Sequence, residues 1–208
     1  MKTLIAVPCM DMVHTLFFKS FVSLRCPPDT DVTVSSSSLI YDARNQLAKQ
    51  AVDGKYDRLL WLDSDMVFNP DMIERFNEDM DGGLEYVSAL YFTRRAPVSP
   101  CVYKTCSVKL ENGKHAPTCE SITELPEKPL FQVAASGMGA VMMSVSLVKR
   151  VADRYGLPFS PVLGFGEDLS FCMRASELGV PLWCDSRISL GHAGQAIFDY
   201  KTWQATRG

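Results

Sequence analysis

The feature that most constrains this chain is an alternation, across its first ninety residues, of short apolar runs with longer stretches of helical spacing. Thr3 to Val7 is a continuous apolar run ended by Pro8, as expected of a strand buried on both faces. A helical pattern extends from about Val13 to Leu24 and is closed by Pro27-Pro28. Val32 to Val34 makes a second short strand, and Ser35 to Ser38 is a polar connector able to cap the next helix. Tyr41 to Val52 sets Leu47, Ala48, Ala51 and Val52 on one helical face, and Gly54 stops it. Arg58 to Leu62 is the clearest strand, Asn69-Pro70-Asp71 opens another helix with Pro70 near its first turn, and Tyr86 to Tyr91 is a further strand. Strands and helices taken in turn predict an α/β chain, with a mainly parallel sheet and helices on both faces.

Arg94 to Pro129 breaks that rhythm. It is rich in Pro, Thr, Cys and charge, with weak alternation from Val98 to Tyr103, and reads as a small irregular β insert of hairpin and loop. From Phe131 the order resumes: a strand, Ser136-Gly137-Met138-Gly139, an apolar strand from Ala140 to Met143, and a helix to about Tyr155. Asp168 to Leu178 is helical and stopped by Gly179, and Pro181 to Cys184 is a short strand. With 208 residues, 47% of them hydrophobic, the chain can bury a core without disulfides or a structural metal. It is expected to form one domain over residues 1–208, in three parts: 1–93, the insert 94–130, and 131–208.

A net charge of −3 argues against nucleic acid as the main partner, since binding the phosphate backbone draws on clustered Lys and Arg. The compact basic pairs Arg94-Arg95 and Lys149-Arg150 read as surface charge. No apolar stretch approaches the ~20 residues that span a bilayer. The run from Leu4 to Val7 is broken by Pro8 and Asp11 before it resembles a signal peptide, so a cytoplasmic protein is expected. Seven cysteines, an odd number without a C-x-x-C, argue against a disulfide framework. Cys101, Cys106, His115 and Cys119 hold the residue types of a Cys3His zinc site, but their spacing fits no common ribbon or knuckle, and they read as scattered thiols.

Three constellations carry chemistry. Asp63-Ser64-Asp65 follows a buried strand directly, where ligands bind in open α/β sheets. Two carboxylates at that spacing repel, and Mg2+ or Mn2+, which takes one or two carboxylates plus diphosphate oxygens, relieves the repulsion. The plainer alternative is a pair of turn or capping acids. Glu167-Asp168 opens a helix after Gly164-Phe165-Gly166. Helix-dipole preference explains acids there, and so does a base that takes the proton of an attacking hydroxyl. His192, in Gly191-His192-Ala193-Gly194, has small neighbours that leave its imidazole free to reach a metal, though a lone histidine is commonly structural.

The order of these elements resembles the GT-A class of glycosyltransferases, in particular the large inverting family two, over most of the chain from the Leu4-to-Pro8 strand to about His192. Ala43-Arg44-Asn45 is similar to the signature preceding that family's D-x-D strand, and Ser136-Gly137-Met138-Gly139 with the apolar strand and Lys149-Arg150 is similar to its Gly-rich acceptor segment. The resemblance implies a nucleoside-diphosphate-sugar donor, a hydroxyl acceptor such as a carbohydrate, and Mn2+ or Mg2+. Pro8, Cys9 and Met10 would line the nucleotide pocket, and Arg44 would lie near the base or diphosphate. Asp63, beside Ser64, would contact the ribose or reach the metal through water, while Asp65 and His192 would be metal ligands. Asp168 would be the acceptor-activating base, with Glu167 beside it. The acidic stretch that the family carries after its second strand is replaced here by Ser35 to Ser38, so a uridine donor is an expectation without an identified base-reading residue. The irregular insert and the aromatics Phe198, Tyr200 and Trp203 would shape acceptor choice, although core packing is the simpler role for those rings.

Three other readings remain open. Asp63-x-Asp65-x-Val67 is similar to the nucleophile motif of haloacid-dehalogenase-like phosphatases, but that motif follows a first strand and here two strand–helix units precede it. A sugar-phosphate nucleotidyltransferase wants a Gly-rich basic loop after its first strand, and Pro8 to Met12 contains neither Gly nor Lys. A non-catalytic sugar-nucleotide-binding module has no need of Asp168.

Overall fold

Thr3–Cys9 (β1) is buried at every position, and a strand apolar on both faces belongs at the interior of a sheet. In the computed structural model, which describes residues 1–194 and 197–206 with the side chain of Phe198 excepted, β1 pairs in parallel with Thr30–Ser36 (β2) and with Arg58–Leu62 (β3). Alternate residues face opposite layers. Leu4, Ala6, Leu59 and Trp61 pack on Leu47, Ala48 and Ala51 of Ile40–Asp53 (α2). Ile5, Val7, Leu60 and Leu62 pack on Phe17 of Thr15–Val22 (α1) and on Met72, Ile73 and Phe76 of Met72–Asp81 (α3). Each large side chain removed from water in this way contributes roughly 1.5–3 kcal/mol.

Between β3 and α3 lies the short Met66–Val67 (β4), and Tyr86–Leu90 (β5) follows α3. The chain then forms Val102–Glu111 (β6), Lys114–Ser121 (β7), Leu130–Val133 (β8), Ala135–Ser136 (β9) and Ala140–Ser144 (β10). After these come the helices Val145–Tyr155 (α4) and Glu167–Glu177 (α5), the strands Leu182–Ser189 (β11), Gly191–Ala193 (β12) and Ile197–Phe198 (β13), and Tyr200–Ala205 (α6). The main sheet runs β2-β1-β3-β10-β5-β11-β8. It is mainly parallel, as the alternation predicts, but β10 enters antiparallel between β3 and β5, and β8 closes the far edge antiparallel to β11. Because β10 runs backwards, its first residues lie at the same edge as the last residues of β3, and this places Gly139 beside Asp63.

The insert is more regular than its composition suggests. β6 and β7 form a hairpin around Asn112-Gly113, both with positive φ (51° and 73°), as in the two-residue turns whose twist suits antiparallel strands. The expectation of unpaired thiols fails here. Counting outward from that turn puts Cys106 opposite Cys119, with Cα atoms 4.3 Å apart, and the two are joined as a disulfide. The zinc quartet does not assemble, because Cys101 is buried in the core while His115 is exposed near the hairpin tip. The second hairpin strand passes close to the turn before α5. A Cβ on Gly164 would lie 3.2 Å from the Pro117 ring, and Gly164 has φ +85°. Among the described residues no helix is long and apolar enough to cross a membrane.

Of the C-terminal aromatics, Trp203 serves as core. Trp203 is buried, with its ring 5.4 Å from Phe92 and 5.4 Å from the more exposed Tyr200. The side chain of Phe198 lies outside the described residues.

Candidate active site

The acidic turn after β3 is held by backbone contacts from three directions. Asp63 N–H donates to the Gly139 carbonyl at 2.8 Å, the Ser64 carbonyl accepts from His14 N–H at 3.0 Å, and the Asp65 carbonyl accepts from Ala193 N–H at 2.8 Å. The Gly137 and Gly139 pair is explained by close packing. A Cβ on Gly137 would lie 2.0 Å from Tyr91 Oη, and one on Gly139 would lie 2.9 Å from both Tyr91 Cζ and Met66 Sδ. Gly139 N–H donates to Tyr91 Oη at 3.2 Å. The glycine-rich segment therefore packs as a strut beneath Asp63.

Tertiary pairing then delivers His192. β12 runs antiparallel to β4, with His192 opposite Met66, and His192 Nε2 comes within 3.4 Å of Asp65 Oδ2. Its Nδ1 lies 2.8 Å from the Phe92 carbonyl oxygen. A carbonyl only accepts, so Nδ1 carries a proton, and this bond fixes the ring with Nε2 facing Asp65. The carbonyl behind the ring is the kind of outer partner that orients a metal-binding histidine. Among the described residues no three His, Cys, Asp or Glu side chains converge as a closed metal site. The donor set fits instead an open site for a hard cation that keeps one or two protein ligands and takes the rest from phosphate or water.

Arg44 joins the two ends of the cleft. It is 2% exposed, and its Nη2 meets Asp63 Oδ1 at 2.8 Å while its Nε meets Glu167 Oε1 at 3.2 Å. Its guanidinium lies 5.3 Å from the centre of the Trp61 ring, and Nη1 is buried with no hydrogen-bond partner. Burial pushes the Asp63 carboxyl up, Arg44 pulls it back, and the nearby Asp65 charge adds to the rise, leaving it raised. Burial also works against the Asp65 charge, but His192 and Arg94 outweigh it and hold this carboxyl below its ordinary value.

Asp168 lies in the first turn of α5, and its Oδ1 accepts from Leu169 N–H at 2.7 Å. Burial, with repulsion from Glu167 next, pushes its carboxyl up to about 6. Gly166 gives this carboxylate room, since a Cβ there would lie 3.0 Å from Asp168 Oδ1. The end of β1 borders the same edge. Pro8 and Cys9 are buried and Met10 is exposed. Ser36 Oγ donates to the Met10 carbonyl and Ser37 N–H to that of Cys9, so the serine connector ties the ends of β1 and β2 together.

Asp63, Asp65, Arg44, Glu167, Asp168 and His192 thus form one cluster linked by ion pairs and charge, and Ser64 contributes its carbonyl to the start of α1. Arg94 is the residue that the sequence misassigns. Its Nη1 lies 2.7 Å from Asp65 Oδ2, so it belongs to this cleft and not to unengaged surface charge. Lys149 and Arg150 do make surface pairs, with Asp153 and Glu85. Tyr91 and the Phe92 carbonyl were also unmarked. Their signal was position, directly after β5 at the edge where the other strands end.

No family model matches the chain, and neither does any curated protein. Solved structures do. The protein A197 from STIV superposes with a TM-score of 0.70 at 18% identity, covering 93% of this chain and 86% of that one. A fragment of S. aureus TarS, residues 1–349, superposes with a TM-score of 0.52 at 13% identity, covering 89% of this chain and 60% of the fragment. The same fragment in complex with UDP-GlcNAc gives 0.53 at 17% identity over 89% of this chain and 58% of that one. The shared architecture is the GT-A fold, and the chain spans about three fifths of the TarS fragment.

Proposed function

We propose that this chain is a glycosyltransferase that moves a sugar from a nucleoside-diphosphate sugar to a hydroxyl acceptor, with Mn2+ or Mg2+ and with inversion at the anomeric carbon. The observation that carries the reading is the gathering, in a GT-A fold, of Asp65 with His192 and of a raised carboxyl at Asp168 about buried Arg44, which spans Asp63 and Glu167. The UDP-GlcNAc bound by TarS makes uridine the first nucleotide to test.

Asp65 and His192 would hold the divalent ion. When bound, that ion neutralises the diphosphate leaving group as a Lewis acid. Asp63, fixed by Arg44, would meet the ribose or a water. Pro8, Cys9 and Met10, at the end of β1, would border the nucleotide. Asp168 acts on the acceptor. An acceptor oxygen forms its bond to the anomeric carbon as the bond from that carbon to the diphosphate oxygen breaks, and the acceptor proton passes to Asp168. A carboxyl raised to about 6 is ionised at neutral pH yet basic enough for this transfer. One displacement from the face opposite the leaving group inverts the configuration. Glu167 and Arg44 are positioning residues in this scheme.

Calorimetric titration of UDP with and without Mn2+ tests the donor site, and proton NMR of product formed from a UDP-sugar reports the anomeric outcome. Tighter UDP binding with Mn2+ is expected. Binding that ignores the metal, or no binding by any nucleoside diphosphate, would sink the reading.

A further inference from the structure

Arg94 occupies the carboxylate oxygen that the proposed function gives to a divalent ion. Its Nη1 is 2.7 Å from Asp65 Oδ2, the oxygen that also faces His192 Nε2 at 3.4 Å. The arginine projects from a closed segment between Phe92 and Pro100, which bridge one another. Thr93 staples that segment. Its hydroxyl accepts from Ser99 N–H at 3.1 Å and approaches the Arg95 and Pro97 carbonyls, while Thr93 N–H donates to the Ser99 carbonyl at 2.9 Å. The backbone is tethered, but the Arg94 side chain is 52% exposed, and Asp65 is its ion-pair partner among the described residues.

The two arginines of the cleft therefore differ in kind. Arg44 is 2% exposed and paired with two carboxylates, so it is fixed. Arg94 holds one carboxylate from a half-exposed position, where an ion pair is weakly held and readily exchanged. A guanidinium and a divalent ion cannot share Asp65 Oδ2, because like charges at contact distance repel. A diphosphate arriving with the ion offers the displaced guanidinium a better acceptor, since planar guanidinium groups pair two-pronged with phosphate.

We propose that Arg94 is an exchangeable counter-cation. It neutralises Asp65 while the donor site is empty, yields that carboxylate to the divalent ion, and turns to the donor diphosphate. This rests on the proposed metal-dependent donor site. Arg94 weakens binding of the ion alone and strengthens binding of the nucleotide once the ion is present, so it enlarges the thermodynamic coupling between the two. The empty cleft is thereby biased against taking up a metal without its nucleotide.

The test is to titrate Mn2+ alone, followed by electron paramagnetic resonance, and UDP at saturating Mn2+, followed by calorimetry. Wild type, Arg94→Ala and Arg94→Lys are compared, with thermal melts to check that each variant folds. Arg94→Ala is expected to bind Mn2+ alone about 3–10-fold tighter and UDP about 10-fold weaker, so that the coupling factor falls. Arg94→Lys, which keeps the charge without the fork, should fall between. If wild type shows metal-dependent UDP binding and Arg94→Ala matches it in both titrations, the exchange is overturned while the donor-site reading stands. If no protein binds Mn2+, with or without UDP, both fall together. If Arg94→Ala binds Mn2+ where wild type does not, the exchange is supported in its strongest form.

Discussion

Two clusters of acidic side chains, one partly buried at the end of β3 and one buried against α3, are built differently. In the strand-end cleft the charges are shared among several partners: Asp63 and Glu167 meet Arg44, and Asp65 meets Arg94 and His192. Between α3 and β11, Asp79 of the helix and the fully buried Asp185 of the strand converge on one guanidinium, that of Arg187, at 2.9 and 2.8 Å. Asp79 Oδ2 is buried with no hydrogen-bond partner. Burial, with Asp185 next, raises the Asp79 carboxyl well above its ordinary range, and one proton held between the two acids would satisfy the orphaned oxygen. Arg187 sits in the bulge that interrupts β11 between Asp185 and Ser189, just before the chain reaches β12 and His192. The second cluster thus clamps the approach to the first. A raised carboxyl by itself does not mark a reacting group. Asp168 lies within the fields of Glu167, Arg44 and Asp63, whereas Asp79, on α3, faces the fully buried Asp185 of β11.

Substitutions in the two clusters are expected to differ in whether transfer is lost. The largest effect is expected for Asp168→Asn, which should lower transfer by about 10²–10⁴-fold, the range for loss of a general base, while UDP·Mn2+ affinity measured by calorimetry stays within about twofold. The folded chain holds the Asp168 proton up to about pH 6, and the unfolded chain releases it near the ordinary value of 3.8. Ionisation in that window therefore costs the fold stability, and Asp168→Asn should melt higher than wild type above pH 6. Lost stability with unchanged transfer would reverse the roles of the clusters.

Next in size, His192→Ala should weaken Mn2+-dependent UDP binding by about 10–100-fold, with UDP binding in chelator unchanged. Equal loss in both conditions would make His192 a structural residue of the β4–β12 pair. A smaller signature is the pH profile of wild-type transfer, expected to rise with an apparent pKa near 6 as Asp168 ionises; a profile flat from pH 5 to 8 would remove it as the base. The smallest effect is expected at the closed cluster. Wild-type stability should decline as pH rises from about 4 through neutrality, because the folded state keeps the Asp79 proton that the unfolded state loses. Asp79→Asn should flatten that slope in thermal melts, where each kcal/mol is about 2–4 °C for a chain of this size. An unchanged slope would place the proton elsewhere.

Much of the architecture was legible in local pattern. The runs at Thr3 to Val7 and Arg58 to Leu62 declared buried strands because apolar side chains without alternation require cover on both faces. Asp63, Asp65, Glu167, Asp168 and His192 could be singled out because residue type and position at an element's end are local properties. The Cys106–Cys119 pair was legible too, through the Asn112-Gly113 turn that sets the hairpin register, and was missed because cysteine counting ignores register. Arg94 was read as surface charge because its distance to Asp65 is not encoded in any window containing either residue.

Asp63-Ser64-Asp65 shows where the boundary lies. The sequence by itself determined that two carboxylates stand where a buried strand ends, since hydrophobic period and chain order suffice for that. Only the tertiary structure decided what each carboxylate meets. The backward entry of β10 set Gly139 under Asp63, the pairing of β12 with β4 carried His192 to Asp65, and the placing of the first turn of α5 near Arg44 of α2 let that arginine reach both Asp63 and Glu167. Charges and hydrogen bonds act over a few ångströms of space, so their partners are chosen by strand order and register, and no local pattern records that choice.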